Sequence, residues 1–398
     1  MIPYSRQTVT REDIDAVVRV LQSDFLTQGP AVPKFEKSVQ DYCGADFAVA
    51  TCNATAALHC ACLALGVGEG DTVWVSAISF VASANCARYC GAHIQFVDIN
   101  PRTGNLSPDV LEQELKQAAR QGRIPRVLIV VHLAGQSCDM QAISLLCRRY
   151  GVAIIEDACH ALGGRYQGLP IGGCQFGDIA VFSFHPVKPV TTGEGGMLVT
   201  NNRNLADKAR LYASHGITKE PNRWQNRSKA RENPGWYYEQ QVLGFNYRMS
   251  DIHAALGYSQ LKRLDKQVQS RHELARYYDG RFASGNCFST KNCVPLDRLE
   301  QCDSSFHLYV VRFDSEKARN RVFDELRKAG YGVNLHYIPI PEQPYYQRMN
   351  TEMNAGTRPC PGAKQYSDTA LSLPLFQGMA EHHQDRVVRL IEHTMANL

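Results

Sequence analysis

One lysine stands between two prolines in the stretch "SFHPVKPVTTGEGG", directly after an apolar run, "DIAVF", that predicts a short strand. Lys188 is preceded by Val187 and Pro186 and followed by Pro189. Proline fixes its own φ angle and restricts the residue before it, so the backbone around this lysine has little freedom. Burial and nearby positive charge lower the pKa of a lysine amine, which then acts as a nucleophile and a base near neutral pH. Lys188 is therefore a candidate for a reactive lysine; the alternative, a loop lysine with incidental prolines, is excluded only by the other stretches of the sequence described below.

Other chemically useful side chains also follow predicted strands. They are Asn53 and Thr55 after "DFAVAT", Phe80 after "VWVSAIS", His132 at the end of "RVLIVVH", Asp157 at the end of "VAIIED", and Ser183 after "DIAVF". Ligands of open parallel sheets bind beyond the carboxyl ends of the strands, and the N–H groups at a helix N-terminus suit a phosphate. Taken singly, each residue also has a structural explanation, such as a cap, an ion-pair partner or a core ring.

The combination of these residues has the parts of a site for pyridoxal phosphate (PLP). In such a site a lysine forms the imine with the cofactor aldehyde, and an acid pairs with the ring nitrogen. An aromatic side chain stacks on the ring, while hydroxyls and helix N–H groups hold the phosphate. Other templates fit less well, because the sequence has no GxxxxGK[ST] loop, no GxSxG elbow and no zinc-type His/Cys spacing.

The elements that would position these residues alternate along the chain. β-branched runs and helical patterns, including helices capped by Thr10 and Ser107 and one ending at Gly44, predict an α/β fold with a mostly parallel sheet covered on both faces. After about residue 200 the pattern changes to a long loop over 218–241 and one helical tract over 250–283. "SSFHLYVVRF" and "YGVNLHYIP" predict strands of a smaller C-terminal α+β domain. We predict a large domain over 1–259 and a small one over 260–398.

Composition limits the function classes. The chain has 398 residues, 44% of them apolar, and a formal net charge of +4. Because the charge is small and no Lys/Arg run occurs, we expect no nucleic-acid partner. The 14 cysteines are scattered and the N-terminus lacks an apolar leader, so we expect free thiols, no metal, no membrane segment and a cytoplasmic location.

At this point the sequence resembles the DegT/DnrJ/EryC1/StrS sugar aminotransferases over nearly its whole length. The matching stretches are "SDFLTQGPAVPKFE", "NATAALH", "ISFVASANC", "EDACHALGG", "SFHPVKPVTTGEGG", "GFNYRMSDIHAALGYSQL", "NLHYIPI" and "LSLPLF". The resemblance implies the fold type I of PLP-dependent transferases, as in aspartate aminotransferase. Several stretches look most like the branch that aminates C4 of a UDP-linked 4-keto-6-deoxy-N-acetylhexosamine in pseudaminic acid biosynthesis. L-Glutamate is the donor that the family usually uses.

The resemblance also implies roles for individual residues. Lys188 is implied as the catalytic Schiff-base lysine and proton carrier, and Asp157 as the partner of the pyridinium nitrogen. Further cofactor contacts are implied for Ala54, Thr55, Phe80, His160, Ser183 and, from the second subunit of a homodimer, Asn246. Contacts with the nucleotide sugar are implied for Tyr4, Asp24, Phe25, Leu26, Thr27, Asn334, Leu335, His336 and Tyr337, and Arg248 is either an anion contact or an interface ion pair.

Two features bear on the subgroup and its alternatives. Ala54 stands where the wider family usually has glycine, which is typical of the branch named above. Lys188 is present where dehydratases of the family have histidine, which favours amino transfer. The remaining alternatives are an aminotransferase for another nucleotide-linked keto-sugar and a PLP-binding sensor.

Overall fold

The protein is described by a computed structural model for residues 1–232, 234–283, 293–352 and 358–398. The helices are α1 (Arg11–Leu21), α2 (Ala31–Cys43), α3 (Ala54–Ala64), α4 (Ala82–Tyr89), α5 (Pro108–Arg120), α6 (Met140–Tyr150), α7 (Arg203–Ala213), α8 (Arg227–Glu232), α9 (Asp251–Leu261), α10 (Leu264–Ala283), α11 (Glu316–Lys328), α12 (Pro344–Glu352), α13 (Pro361–Thr369) and α14 (Glu381–Ala396). The strands are β1 (Phe47–Thr51), β2 (Thr72–Ser76), β3 (His93–Val97), β4 (Val127–Val131), β5 (Ala153–Asp157), β6 (Arg165–Tyr166), β7 (Leu169–Pro170), β8 (Ile179–Ser183), β9 (Gly196–Thr200), β10 (Ile217–Thr218), β11 (Glu239–Gln240), β12 (Cys293–Pro295), β13 (Cys302–Asp303), β14 (Tyr309–Phe313) and β15 (Ala370–Leu373).

A seven-stranded sheet forms the centre of the larger unit. Its order is β1-β9-β8-β5-β4-β2-β3, and β9 runs antiparallel to both of its neighbours while the other pairs are parallel. Helices α3, α4 and α7 pack on one face, and α2, α5, α6 and α9 pack on the other. Successive strand residues are therefore buried on opposite faces, as Val73 and Trp74 are. The predicted mostly parallel α/β sheet is confirmed.

A smaller antiparallel sheet, β12-β14-β15, has its own apolar core with α10, α11 and α14. This core takes its residues from Leu274 onward, and Ile2 from the other end of the chain packs against it. Ile2 also bridges to Tyr331. The division into domains over 1–259 and 260–398 stays a prediction.

Thr10, Ser107 and Gly44 stand at the helix ends where the sequence places them. The Ser107 hydroxyl accepts the N–H of Val110 at the start of α5. The N–H of Thr10 is bound by the Asp13 carboxylate at the start of α1. Gly44 ends α2 with φ at +72°, a left-handed conformation that glycine adopts without strain.

The C-terminal half differs from the prediction in three places. The helical tract breaks between α9 and α10, where the Arg263 guanidinium donates to the Asp13 carboxylate at 2.7 Å. Residues 218–241 include α8 and the β10–β11 ladder instead of an open loop, and Trp224 is buried there; residue 233 lies outside the described residues. "YGVNLHYIP" makes two isolated bridges, one of them from Asn334 to Ser372, rather than a strand.

Within the described ranges, no helix is both long and apolar enough to span a bilayer. In the same ranges the cysteines are free thiols. Nor do these ranges bring three or more His, Cys, Asp or Glu side chains together as a metal site.

Candidate active site

A cavity of about 560 Å³ lies beyond the carboxyl ends of β4, β5 and β8 and beside the N-terminus of α3. It is the position at which a mostly parallel sheet presents ligand-binding side chains. Its walls are formed by Tyr4, Asn53, Ala54, Thr55, Leu58, Ser79, Phe80, Ala82, Val131, Asp157, Cys159, His160, Ser183, His185, Val187, Lys188, Glu194, Asn334, His336 and Tyr337.

Lys188 reaches this cavity from the turn between β8 and β9. Its backbone N–H donates to the carbonyl of His185 at 2.9 Å, and the Ser5 hydroxyl donates to the carbonyl of Val187 at 2.9 Å. These two bonds fix the backbone of the turn at Lys188 and at the residue before it. Burial lowers the pKa of the Lys188 amine to about 8, against the opposing effect of Cys159 and Asp157. A substantial fraction of the amine is therefore neutral near pH 7 to 8, as a nucleophile or proton carrier requires.

Asp157 ends β5 and faces the same cavity. One carboxylate oxygen, Oδ2, accepts a hydrogen bond of 2.6 Å from the Ser83 hydroxyl, and the other accepts the N–H of Cys159 at 3.2 Å. The Ser83 oxygen also lies 2.6 Å from that of Ser79. Hydrogen bonds to an ionised acceptor are stronger than neutral ones, so this chain of hydroxyls sets the orientation of the carboxylate.

The N-terminus of α3 forms another wall. The Asn53 side chain caps the helix by accepting the N–H of Ala56 at 2.9 Å, which leaves the first-turn N–H groups of Ala54 and Thr55 beside the cavity. Gly196 of β9 lies so close that a Cβ atom there would come within 2.4 Å of the Asn53 carbonyl carbon. The close approach of β9 places the helix N-terminus next to Ser183 and Lys188.

His160 and Tyr337 bond to each other at the cavity wall, although they lie 177 residues apart along the chain. Nδ1 of His160 accepts the backbone N–H of Ala134 at 3.3 Å, and Nε2 lies 3.1 Å from the Tyr337 hydroxyl oxygen. Burial, Lys188 and His336 hold the pKa of His160 well below its ordinary value, so the ring is neutral. Because a backbone N–H can only donate, the ring proton is on Nε2 and points at the Tyr337 oxygen. The phenolic hydrogen of Tyr337 is then free to donate into the cavity.

The cavity wall is completed by His336 from the C-terminal part of the chain, by Tyr4 near the N-terminus and by Phe80. We call this part of the wall the mouth of the cavity. Nδ1 of His336 lies 2.8 Å from the Ser372 hydroxyl, and burial followed by Lys188 lowers its pKa to about 4. Tyr4 packs against the ring of His336 at 5.1 Å, and Phe80 packs at 6.2 Å from Tyr337. Phe80 lines the cavity and remains 59% exposed, so its ring is largely uncovered by the rest of its own chain.

Three of the predicted site residues and one predicted segment do not line the cavity of their own chain. Asn246 and residues 24–27 are exposed and do not line the cavity. Arg248 also lies outside it and donates to the Ser214 hydroxyl at 3.2 Å. Leu335 packs against the core of the large sheet and is not among the residues that line the cavity.

The sequence analysis missed several residues at the site. Ser83, in the first turn of α4, donates to Asp157, and Ser79, in the loop before that helix, lies within hydrogen-bond distance of Ser83. His307 lies with Nε2 at 3.4 Å from Nζ of Lys188, and nothing near it in sequence indicated this contact. His132, by contrast, is a buried partner of Glu156 at 2.9 Å and takes no part in the cavity.

These residues fit PLP. An amine, a carboxylate, a helix N-terminus with free N–H groups and a serine hydroxyl all border one cavity, together with the largely exposed ring of Phe80. That donor set provides a partner for the aldehyde, the ring nitrogen, the phosphate and the ring face of this cofactor.

Comparisons with known proteins agree with this chemistry. Over 382 residues the chain is 37% identical to the UDP-4-amino-4,6-dideoxy-N-acetyl-beta-L-altrosamine transaminase of Campylobacter jejuni. The alignment covers 95% of this chain and 93% of that protein. The structure of Helicobacter pylori PseC, an aminotransferase involved in pseudaminic acid biosynthesis, matches with a TM-score of 0.87 at 29% identity and covers 100% of both chains. The sugar aminotransferase Spr1654 of Streptococcus pneumoniae in its PMP form also matches with a TM-score of 0.87 at 29% identity, with full coverage of both chains.

These matches confirm the predicted fold type and the predicted enzyme class. The model of the DegT/DnrJ/EryC1/StrS aminotransferase family matches residues 7–392, so the chain belongs to this family.

Proposed function

We propose that the protein is a PLP-dependent aminotransferase that moves an amino group from L-glutamate to C4 of a UDP-linked 4-keto-6-deoxy-N-acetylhexosamine. The observation that carries the proposal is that the amine of Lys188, with a pKa lowered to about 8, and the carboxylate of Asp157 face one cavity. The name of the Campylobacter jejuni relative supports the sugar, the position of the amine and the nucleotide.

The proposal assigns a task to the main polar and aromatic residues of the cavity. PLP, when bound, supplies a ring that accepts the electrons of the bond broken next to the amino group. Asp157, held by Ser83, would pair with the ring nitrogen, and Phe80 would stack on the ring. The N–H groups of Ala54 and Thr55 and the Ser183 hydroxyl would hold the phosphate.

Lys188 is the proton carrier in this proposal. Its neutral amine takes the proton from Cα of glutamate in the first half of the reaction. In the second half the same Nζ delivers a proton to C4 of the sugar, so one residue serves both halves. His160 is neutral and donates to Tyr337, so it holds the cavity wall without competing for that proton.

The substrate would enter past the C-terminal residues. Tyr337 offers its hydroxyl hydrogen to a sugar oxygen, and Tyr4, Asn334 and His336 line the same mouth. The diphosphate requires N–H-rich or positively charged walls. Leu335 contributes only through packing in this arrangement.

We also propose that the protein acts as a cytoplasmic homodimer. Residues 24–27 include Phe25 and Leu26, which are 53% and 48% exposed. Together with the exposed Asn246 they lie outside the cavity of their own chain. In a dimer these residues and Arg248 would contact the ligands in the cavity of the second copy. The dimer thus gives them a role that they do not have at the cavity of their own chain.

The visible absorption spectrum tests the proposal. Purified protein supplied with PLP should gain a visible band that disappears when L-glutamate is added and returns when the UDP-keto-sugar follows. Lys188→Ala should bind PLP without responding in this way. A protein that never gains a band contradicts the proposal, whereas a band that ignores glutamate contradicts only the donor.

A further inference from the structure

The segment of residues 304–308 runs beneath the cavity between the two apolar cores. The Ser305 hydroxyl donates to the carbonyl of His160 at 2.8 Å, and the Ser305 N–H donates to the carbonyl of Gly135 at 3.1 Å. The N–H of Leu308 donates to the carbonyl of Ala134 at 3.2 Å. A Cβ atom on Gly135 would meet the Ser305 hydroxyl oxygen at 2.4 Å, so glycine is needed for this approach. The segment is therefore fastened to the loop that also bonds His160.

A buried arginine fastens the same segment from the other side. Arg271 of α10 is 3% exposed, and its guanidinium donates to the carbonyls of Phe306, His307 and Leu375 at 3.1, 3.2 and 3.1 Å. In the part of the chain that the structure describes, it makes no ion pair with a carboxylate. A buried charge is tolerated when it is hydrogen-bonded, and here three carbonyls accept bonds from one guanidinium nitrogen, Nη1. Arg271 thus fixes the backbone of His307 and adds positive charge behind its ring.

His307 itself points at the amine of Lys188. The side chain is 2% exposed, its ring lies 4.5 Å from that of His160, and its Nε2 is 3.4 Å from Nζ. Burial, and after it the positive charge of Lys188 and the charge of Arg271, hold the pKa of His307 well below its ordinary value. The imidazole is therefore neutral, and a neutral imidazole nitrogen accepts a hydrogen bond from an ammonium group.

Other charged or titratable groups also face Lys188. Asp157 and Cys159 favour its charged form, while the positive character of the lysine acts on His160 and His336. The carboxylate of Asp157 is already bonded by Ser83 and by the N–H of Cys159. Within the described ranges, the hydrogen-bond partner of Nζ is His307.

We propose that His307 is a positioning residue for Lys188. Nε2 of His307 accepts the hydrogen bond from Nζ whenever the amine is free. This bond keeps the amine at one place on the cavity wall between the two halves of the reaction. The inference rests on the proposed function, in which the amine is released and used again. A lysine side chain has about 2 kcal/mol of rotamer entropy, so a free amine without an acceptor would sample many positions. No proton transfer to His307 is involved, since the ring stays neutral.

The test measures Lys188 in the cofactor-free protein. The rate at which an amine-reactive acylating reagent labels Lys188 is followed by mass spectrometry as a function of pH. In the wild type the midpoint should lie at about 8. An acceptor stabilises the ammonium form, so His307→Leu should lower the midpoint by about one pH unit, while His307→Gln, which retains an acceptor, should restore most of it. His93→Leu, a change at an exposed histidine of β3 that does not line the cavity, is the control and should leave the midpoint in place.

The inference is overturned if His307→Leu leaves the labelling midpoint unchanged. It is also overturned if His307→Leu and His307→Gln shift the midpoint equally. If the leucine variant does not fold, the contact is measured from the lysine side. Lys188→Met should change the nitrogen chemical shift of His307 Nε2, and an unchanged shift overturns the inference as well. Because these measurements use no cofactor, they stand apart from the proposed function, which fails only if the loaded wild-type enzyme transfers no amine.

Discussion

The buried amine of Lys188 should make the cofactor-free protein less stable at neutral pH. Its pKa falls from an ordinary 10.5 to about 8, mainly through burial. One pKa unit corresponds to ~1.4 kcal/mol, so holding the charged form inside the fold opposes folding by about 3 kcal/mol at pH 7. Lys188→Met removes the charge and keeps most of the volume. It also leaves Nε2 of His307 without its partner, at a cost of about 1 kcal/mol. The net expectation is a variant more stable by about 2 kcal/mol at pH 7.

The pH dependence gives this prediction its sign. The folded-state pKa is depressed, so the destabilisation is fully present below pH 8 and disappears as pH rises to 10.5, where the unfolded chain has also lost the proton. Above that pH only the lost hydrogen bond remains, and Lys188→Met should become the less stable protein by about 1 kcal/mol.

Urea unfolding of both cofactor-free proteins, at equal protein concentration and at several pH values, measures the difference. Lys317→Met, an exposed lysine on α11, is the control and should show no such crossing. Equal stability of Lys188→Met and wild type at every pH would refute the reasoning that Lys188 is buried and depressed in pKa.

Three further changes test the walls of the cavity. Gly196→Ala should destabilise the protein by about 1–3 kcal/mol and weaken PLP binding about tenfold, because the new Cβ atom would meet backbone atoms at 2.4 Å. The control is Gly280→Ala, which has open space around it and should leave stability unchanged or raise it by up to ~1 kcal/mol. Thermal unfolding and PLP titration of the two variants measure both effects. Ser83→Ala removes the 2.6 Å bond to Asp157, worth ~1.5–3 kcal/mol, so the Kd for PLP should rise tenfold or more, and an unchanged Kd would argue against this support. Tyr337→Phe should raise KM for the UDP-sugar about tenfold with the cofactor spectrum unchanged; a change in spectrum alone would place the hydroxyl on the cofactor instead.

The sequence was sufficient for the parts of the site that follow single elements. Asp157 ends a strand, Lys188 follows the next one in the sheet, and Asn53 begins a helix, so strand and cap patterns predicted their common edge. Ser83 and His307 were missed because their partners lie 74 and 119 residues away along the chain. Contacts of that separation are set by tertiary packing, which local patterns do not record.

The same reason explains the errors in the C-terminal half. The tract over 250–283 has one helical pattern, but the ion pair of Arg263 with Asp13 is made at the break between α9 and α10. The predicted strand "YGVNLHYIP" is diverted because His336 and Tyr337 turn into the cavity. Both departures lie where the chain serves the site or joins its two cores, which is where local preference is most often overridden.

The transfer of nitrogen tests the central claim most directly. The protein, loaded with PLP, is incubated with the UDP-linked 4-keto-6-deoxy sugar and with glutamate carrying heavy nitrogen in its amino group, and the sugar product is analysed by mass spectrometry and NMR. The account predicts heavy nitrogen bonded to C4 of the sugar, with an equal amount of 2-oxoglutarate, and neither product with Lys188→Ala. A sugar recovered without heavy nitrogen would contradict the transfer of the amino group from glutamate to C4, and a sugar labelled equally well by Lys188→Ala would contradict the assignment of Lys188 as the residue that carries the proton.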